Sequence, residues 1–276
     1  MAALKQQLLE LQPAFVIQLG DFCGGGTLPG WAPGAESALQ LFHALREIGV
    51  DVYPVIGNHD QSPDKHKFIC EHQPPLNPEL DPAVNPAVYE RWCGQRRYWY
   101  SFNRGGVHFV IVDSNLSPAH EKDVTGETRY GAQQAWLMRD LCDCENNPDR
   151  LPTVVCMHDV GYLGCDTRSG PGPVYRVLQN CYDHPVVAAF GGHWHNGMGF
   201  PPENNLGIHS YATEASAILV IDNPEYIIAT VHADRITFET VDTVTGGPGK
   251  AGLVYYPIPG KFTSLDDRSG HAPKRQ

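Results

Sequence analysis

The sequence has no apolar run approaching the roughly 20 residues that a bilayer-spanning helix needs. Its first stretch, MAALKQQLLELQP, has neither a long apolar core nor a small-residue cleavage pattern, so it does not read as a signal peptide. The expectation is a soluble protein, cytoplasmic rather than secreted, with no membrane partner. CxxC pairs are absent, which argues against a zinc ribbon. Basic residues are in deficit, 20 Lys and Arg against 31 Asp and Glu, for a formal net charge of −11. That balance argues against a nucleic-acid polymer as the main partner. It leaves room for a small phosphorylated substrate, because bound cations can reverse the local field. No Gly-x-Ser-x-Gly elbow occurs, and the Gly-rich GDFCGGGTLPG lacks the Lys-Ser/Thr of a phosphate-binding P-loop. No repeat of 20–50 residues is seen.

Glycine (28) and proline (23) are plentiful, which predicts a large share of loop. The 276 residues suffice for a sizeable core. We read one domain over 1–262, with a Pro-rich insertion at 61–97 and a disordered tail at 263–276. The eight cysteines are scattered. Cys70 and Cys93 bracket the insertion and can pair in an oxidising compartment, whereas Cys156 reads as a small core residue.

Short runs rich in Val or Ile recur: AFVIQLGD, DVYPVIGNHD, HFVIVDS, TVVCMHD and PVVAAFGGHWH. Each is too short for a helix and closes at Gly, Asp or His, as buried strands do. Leu4, Leu8 and Leu11 have helical spacing before Pro13. Ala38, Leu41, Phe42, Leu45 and Ile48 form a second helical stripe, with Gly49 as its stop. Residues 131–143 read as another helix. After residue 205 the pattern is all strand, with a hairpin turn at Asp234-Arg235. Alternating strands and helices followed by strands suggest a layered α/β protein of two packed sheets.

Metal-capable residues stand at the ends of four of these runs. Asp21 follows VIQLG, Asn58-His59-Asp60 follow VYPVIG, His158 follows VVCM, and His193 and His195 follow AAFGG. In α/β layers ligand sites form beyond the carboxyl ends of strands, so neighbouring strands would bring these groups to one spot. Carboxylate, amide oxygen and imidazole together suit a borderline divalent ion such as Mn2+, Fe2+ or Zn2+.

In that order, GD (20–21), GNHD (57–60), a single His after a strand (158) and GHWH (192–195) resemble the calcineurin-like metallophosphoesterase family. The motif elements span residues 20–195. YWYSFNRGGVHFVIVDS and IIATVHADRITFE look closer to the ADP-ribose/CDP-alcohol diphosphatase and cyclic-nucleotide phosphodiesterase branches than to the protein phosphatases. The resemblance implies a four-layer α/β/β/α sandwich of two mixed sheets. It implies up to two divalent ions bridged by Asp21, with Asn58, His158 and His193 completing one and His195 serving the other. His59 would protonate the leaving oxygen, with Asp60 holding its ring, after attack by a metal-bound hydroxide on a phosphoester or diphosphate of a small, nucleotide-derived substrate.

The family's first motif, Asp-x-His, has no counterpart in this chain, which implies that the fold lacks its first strand and that one ion keeps only Asp21 and His195. The reading that follows first is a chain incomplete at its N-terminus. The competing reading is a relative without catalysis that serves as a binding or structural module. Of the other histidines, His43 reads as surface, and His108, His209 and His232 as satisfied strand residues, His209 being the one that could approach the site. Asp113 reads as a turn residue. Tyr98, Trp99 and Tyr100 read as strand core, with base stacking as the alternative.

Overall fold

A computed structural model describes residues 2–22, 28–61, 63–72, 81–94, 97–116, 129–161, 163–164, 171–181, 183–200, 202, 206–213, 224–251 and 254–257. The tail expected at 263–276, and part of the insertion expected at 61–97, lie outside these residues.

A six-stranded mixed sheet is built from β3 (Tyr100–Arg104), β4 (Val107–Val112), β5 (Thr153–Met157), β6 (Val186–Gly191), β7 (Met198–Phe200) and β8 (His209–Ala212) in the order β3-β4-β5-β6-β8-β7. The strands β4, β5, β6 and β8 run parallel, and β3 and β7 close the edges antiparallel. Parallel strands covered on both faces need apolar residues throughout, which is why these runs are continuous rather than alternating. Side chains still alternate between faces. Val110, Val155 and Ala189 join one buried cluster with Trp136 and Leu137 of α5 (Arg129–Leu137) and Val174 and Val177 of α6 (Pro173–Leu178). Phe109, Ile111, Val154, Cys156 and Phe190 join the other.

Two smaller sheets cover that second face. β1 (Phe15–Gln18) and β2 (Asp51–Pro54) form a parallel pair, and β9 (Glu225–Val231), β10 (Arg235–Asp242) and β11 (Val254–Pro257) form an antiparallel sheet in the order β11-β10-β9. Outside them, α1 (Ala2–Leu11) contributes Leu4 and Leu8, and α2 (Leu28–Glu47) contributes Leu39, Leu41, Phe42 and Leu45. The four layers expected from the sequence are present. The layer holding β1 is divided, among the described residues, into a two-stranded and a three-stranded piece.

Local chemistry accounts for the element ends. Gly49, at φ +82°, donates to Arg46 O at 2.9 Å while Val50 donates to Leu45 O at 2.9 Å, a Schellman motif that only the left-handed glycine permits here. Ile48 lies past the last buried turn and is exposed, as is Leu11 at the end of α1. The helix read over 131–143 begins at Arg129 and continues after Leu137 as a π-helical turn over Met138–Cys142. The late hairpin turns one step earlier than the sequence suggested: β9 ends at Val231, and His232 N donates to Arg235 O. Tyr53 stacks on Phe102 with centroids 3.8 Å apart, and Tyr100 Oη donates to Pro54 O at 2.9 Å. These contacts seat the β1–β2 pair on the large sheet.

Cys70 and Cys93, whose pairing the sequence leaves conditional on an oxidising compartment, form a disulfide, and a second joins Cys142 to Cys181 across 39 residues. The second ties the turn after α5 to the chain after α6. A Cys142→Ser/Cys181→Ser variant is expected to lose roughly 3–4 kcal/mol, the loop-closure entropy of a ring this size. Urea denaturation checks it, and a midpoint unchanged from the parent would remove the claim. Cys156 is buried, which holds its thiol up at about 12 and leaves it unreactive, as a core residue should be.

Candidate metal centre

Four parallel strands from two sheets end at one place. β1 leads to Asp21 and β2 to Asn58, with Gln18 opposite Pro54 and Val55 N bonded to Gln18 O at 2.8 Å. β5 leads to His158 and β6 to His193, and Gly192 N donates to His158 O at 2.8 Å. The two layers are bolted together by the His158 ring, whose Nδ1 lies 2.7 Å from Leu19 O. A carbonyl can only accept, so Nδ1 carries the proton there.

That bond fixes the other nitrogen. His158 Nε2 faces Asn58 Oδ1 at 3.0 Å, Asp21 Oδ2 at 3.2 Å and His193 Nδ1 at 3.3 Å, while His193 Nδ1 also lies 3.1 Å from Asn58 Oδ1. Two oxygens that only accept thus converge on the lone pair of a ring already protonated at its far side. The ring satisfies them either by taking a second proton or by sharing a cation with them. Burial pulls the His158 pKa down, but the Asp21 carboxylate and the Leu19 carbonyl outweigh it and the net direction is up. For Asp21, burial works upward, and His158 and the His59 amide turn the net direction down. The His193 pKa is lowered, by burial first and then by the charge of His158.

Glycine is required where these turns touch. A Cβ at Gly20, which has φ +91°, would lie 2.6 Å from His158 Nδ1, and one at Gly57 would lie 2.0 Å from Asp21 Oδ1. Asp21, His193 and His195 themselves hold φ of +51°, +69° and +54°, a region that non-glycine residues occupy at a cost. Strain gathered on three candidate ligands is what a functional constraint produces, and the surroundings hold it in place.

Chief among those surroundings is Asp60, fully buried. Its Oδ2 accepts Asp21 N at 2.8 Å and Gly57 N at 2.9 Å, and its Oδ1 accepts Phe22 N at 3.1 Å. Its carboxylate, expected to hold the His59 ring, ties the β1 loop to the β2 loop through backbone amides instead. Burial and the nearby Asp21 charge push its pKa up to about 6 against those donors. His59 donates its backbone N–H to Asp21 Oδ1 at 2.9 Å and points its ring outward, with Nε2 4.0 Å from Asp21 Oδ2. Lys65 Nζ fixes the loop from behind by donating to His59 O at 3.0 Å.

The structure therefore brings Asp21, Asn58, His158 and His193 together, with His59 at their open side. His195 is exposed, and no hydrogen bond joins it to the other four. Among the described residues no three His, Cys, Asp or Glu side chains close into a ready cage, and the Asn58 amide oxygen is what links the cluster. Carboxylate oxygen, amide oxygen and two imidazole nitrogens fit one divalent cation of the borderline class. Sequence reading missed several supports. A backbone carbonyl such as Leu19 O leaves no sequence signal at all. Trp194, between the two histidines, donates Nε1–H to Asp159 Oδ1 at 2.8 Å, and Lys250 Nζ reaches Asn196 O at 2.9 Å.

The remaining readings divide cleanly. His209 pairs with Ala188 near the start of β6, so it lies away from the site, and the residue arriving there is Thr213, whose N donates to Gly191 O at 2.8 Å. His43 is exposed, and buried His108 is bonded to Asn103 Oδ1 at 2.6 Å and Asp140 Oδ2 at 3.0 Å. His232 meets Thr237 Oγ1 at 3.0 Å. Asp113 accepts Asn115 N at 2.9 Å in a turn. Tyr98, Trp99 and Tyr100 are all buried, so none of them offers a face to a substrate base.

A model of the calcineurin-like phosphoesterase family matches residues 1–197. Curated proteins give no match. Among solved structures, a dimetal phosphatase from Danio rerio is similar at TM-score 0.57 and 18% identity, covering 93% of this chain and 88% of that one. Purple acid phosphatase PPD1 from yellow lupin (Lupinus luteus) seeds is similar at TM-score 0.52 and 15% identity, over 90% of this chain and 48% of that one. GAP50, the anchor in the inner membrane complex of Plasmodium, is similar at TM-score 0.54 and 12% identity, over 93% and 82%. At these identities the likeness is one of fold.

Proposed function

This chain belongs to the calcineurin-like phosphoesterase family, and from that premise we propose that it is a metal-dependent hydrolase of phosphodiester or diphosphate bonds in a small, nucleotide-derived substrate. The observation that carries the proposal is the convergence of Asp21, Asn58, His158 and His193, whose oxygen and imidazole donors meet within hydrogen-bond distance of one another. When bound there, a divalent ion would polarise a phosphoryl oxygen.

The chain's own groups supply the rest. His158, its Nδ1–H held by Leu19 O, keeps Nε2 aimed at the cluster. Asp21 holds its carboxylate through the His59 amide, so ligand and acid/base residue move as one turn. The His59 ring stands exposed at the rim and can hand a proton to a leaving oxygen. Asp60 fixes both loops so that this geometry precedes substrate. No helix among the described residues is long and apolar enough to cross a membrane. The two disulfides favour an oxidising compartment over the cytosol expected from the N-terminal sequence.

His59→Ala is expected to lower turnover of bis-p-nitrophenyl phosphate by about 10²–10⁴-fold, the range for a general acid, with metal content unchanged. Wild-type turnover insensitive to both chelator and this substitution would end the proposal. A second reading, metal binding without catalysis, is favoured by one observation: His195 is exposed and shares no hydrogen bond with Asp21, Asn58, His158 or His193. Bound metal with no turnover on a panel of phosphodiesters and diphosphates would select it.

A further inference from the structure

At the opposite pole of the large sheet lies a half-open cavity of about 590 Å³. It lies beneath the starts of β5 and β6, some 16 Å along β5 from His158 at about 3.3 Å per residue. Four segments meet there: the β3–β4 turn at Gly105-Gly106, the approaches to β5 and β6, and the β9–β10 turn. None belongs to a motif that marks the metal centre.

The lining is chemically mixed. Pro152 and Val187 supply apolar wall, while Arg150, His184, His232 and one carboxylate, Asp183, supply polar groups. Arg150 is pinned by three contacts: Nη1 to Cys144 Sγ at 3.3 Å, Nη2 to Asp183 O, and an ion pair with Asp183 Oδ2 at 3.2 Å. The Arg150 and Asp183 side chains are 42% and 99% exposed, so water screens their ion pair and a ligand anion can compete with Asp183 for the guanidinium. His184 Nδ1 is buried and meets no hydrogen-bond partner among the described residues. Burial lowers the pKa of this ring, with the Asp183 carboxylate opposing and Arg150 assisting. A buried ring nitrogen without a partner costs free energy unless something supplies one. The volume falls within the range of small-molecule sites, and apolar walls with a few convergent polar groups are their usual make-up.

We propose that this cavity is a second binding site, for a small organic anion of mononucleotide size whose phosphate or carboxylate meets Arg150 while its body packs on Pro152 and Val187 and bonds His184 Nδ1. The site is separate from the metal centre and does not depend on its chemistry.

Isothermal titration with adenosine monophosphate, adenosine and inorganic phosphate as probes, in chelator so that the metal centre takes no phosphate, tests it. The monophosphate is expected to bind at least roughly tenfold more tightly than either fragment, since both halves of the site then contribute. Ala233→Trp, which fills the cavity from its exposed turn, and Arg150→Gln should each weaken that binding at least roughly tenfold, while Asn58→Ala leaves it unchanged. Circular dichroism confirms that each variant folds, and Ala233→Trp serves if Arg150→Gln does not. Absence of binding, binding no tighter than phosphate alone, binding that survives Ala233→Trp, or binding lost in Asn58→Ala would each overturn the proposal.

Discussion

Asp60→Ala is expected to lower the stability of the metal-free protein by about 3 kcal/mol or more, the largest effect of any single substitution near the site. The carboxylate is fully buried and accepts three backbone N–H groups, from Asp21, Phe22 and Gly57. Truncation leaves all three without an acceptor, at roughly 1–3 kcal/mol for each buried donor that water does not reach. Against a typical total of about 5–15 kcal/mol, that is a large share. Asp60→Asn separates the contributions. It keeps the volume and one acceptor oxygen but turns an NH2 toward the remaining amides, so it should recover part of the loss. Urea denaturation of both variants provides the measurement, with constant slope as the check that the unfolded state is unchanged. A loss under about 1 kcal/mol for Asp60→Ala would mean that water replaces the carboxylate, and the two loops would then be held by something else.

The same residue shows where sequence reasoning stops. That Asp60 belonged to the site was legible from GNHD at the end of a strand-like run. Which hydrogen bonds its two oxygens make was not, because two of the three donors, Asp21 N and Phe22 N, lie on a loop 39 and 38 residues earlier in the chain. The strands carrying Asp21, Asn58, His158 and His193 could be read because buried parallel strands are continuous apolar runs with abrupt polar ends. Their convergence is expected in the sequence only if the strands are neighbours, whereas β1 and β2 form a pair separate from β5 and β6, which Tyr53 stacking over Phe102 helps to seat on the large sheet. His209 was drawn toward the site by its nearness in sequence to GHWH. The parallel register of β8 against β6 reverses that, because His209 enters where β6 begins and Thr213 leaves where β6 ends. Cys142 and Cys181 carry no spacing signal, and their pairing follows from α5 and α6 packing side by side.

The ligand assignment makes the second large prediction, and it is asymmetric. Titration of the metal-free protein with Mn2+ should show one high-affinity ion per chain. His158→Ala and Asn58→Ala should each weaken it at least about 100-fold, or about 2.8 kcal/mol. His158 carries the larger expectation because it does two things. Its Nε2 faces three of the gathered groups, and its Nδ1 ties the β5 end to Leu19 O beside Asp21. His158→Gln, which can keep a polar atom near Leu19 O without offering an imidazole lone pair, should keep the fold better than alanine while failing to recover affinity. His195→Ala should change the affinity of this first ion little, since no hydrogen bond joins His195 to the cluster. Thermal shift gives an independent readout: an ion at about 100 times its Kd should add about 2.7 kcal/mol to the parent, and at most about 0.4 kcal/mol to His158→Ala at the same concentration. Equal losses for His195→Ala and Asn58→Ala would mean that the ion sits nearer His195 than the converging side chains indicate. The strained backbone at His195 would then belong to the first ligand set rather than to an open position beside it.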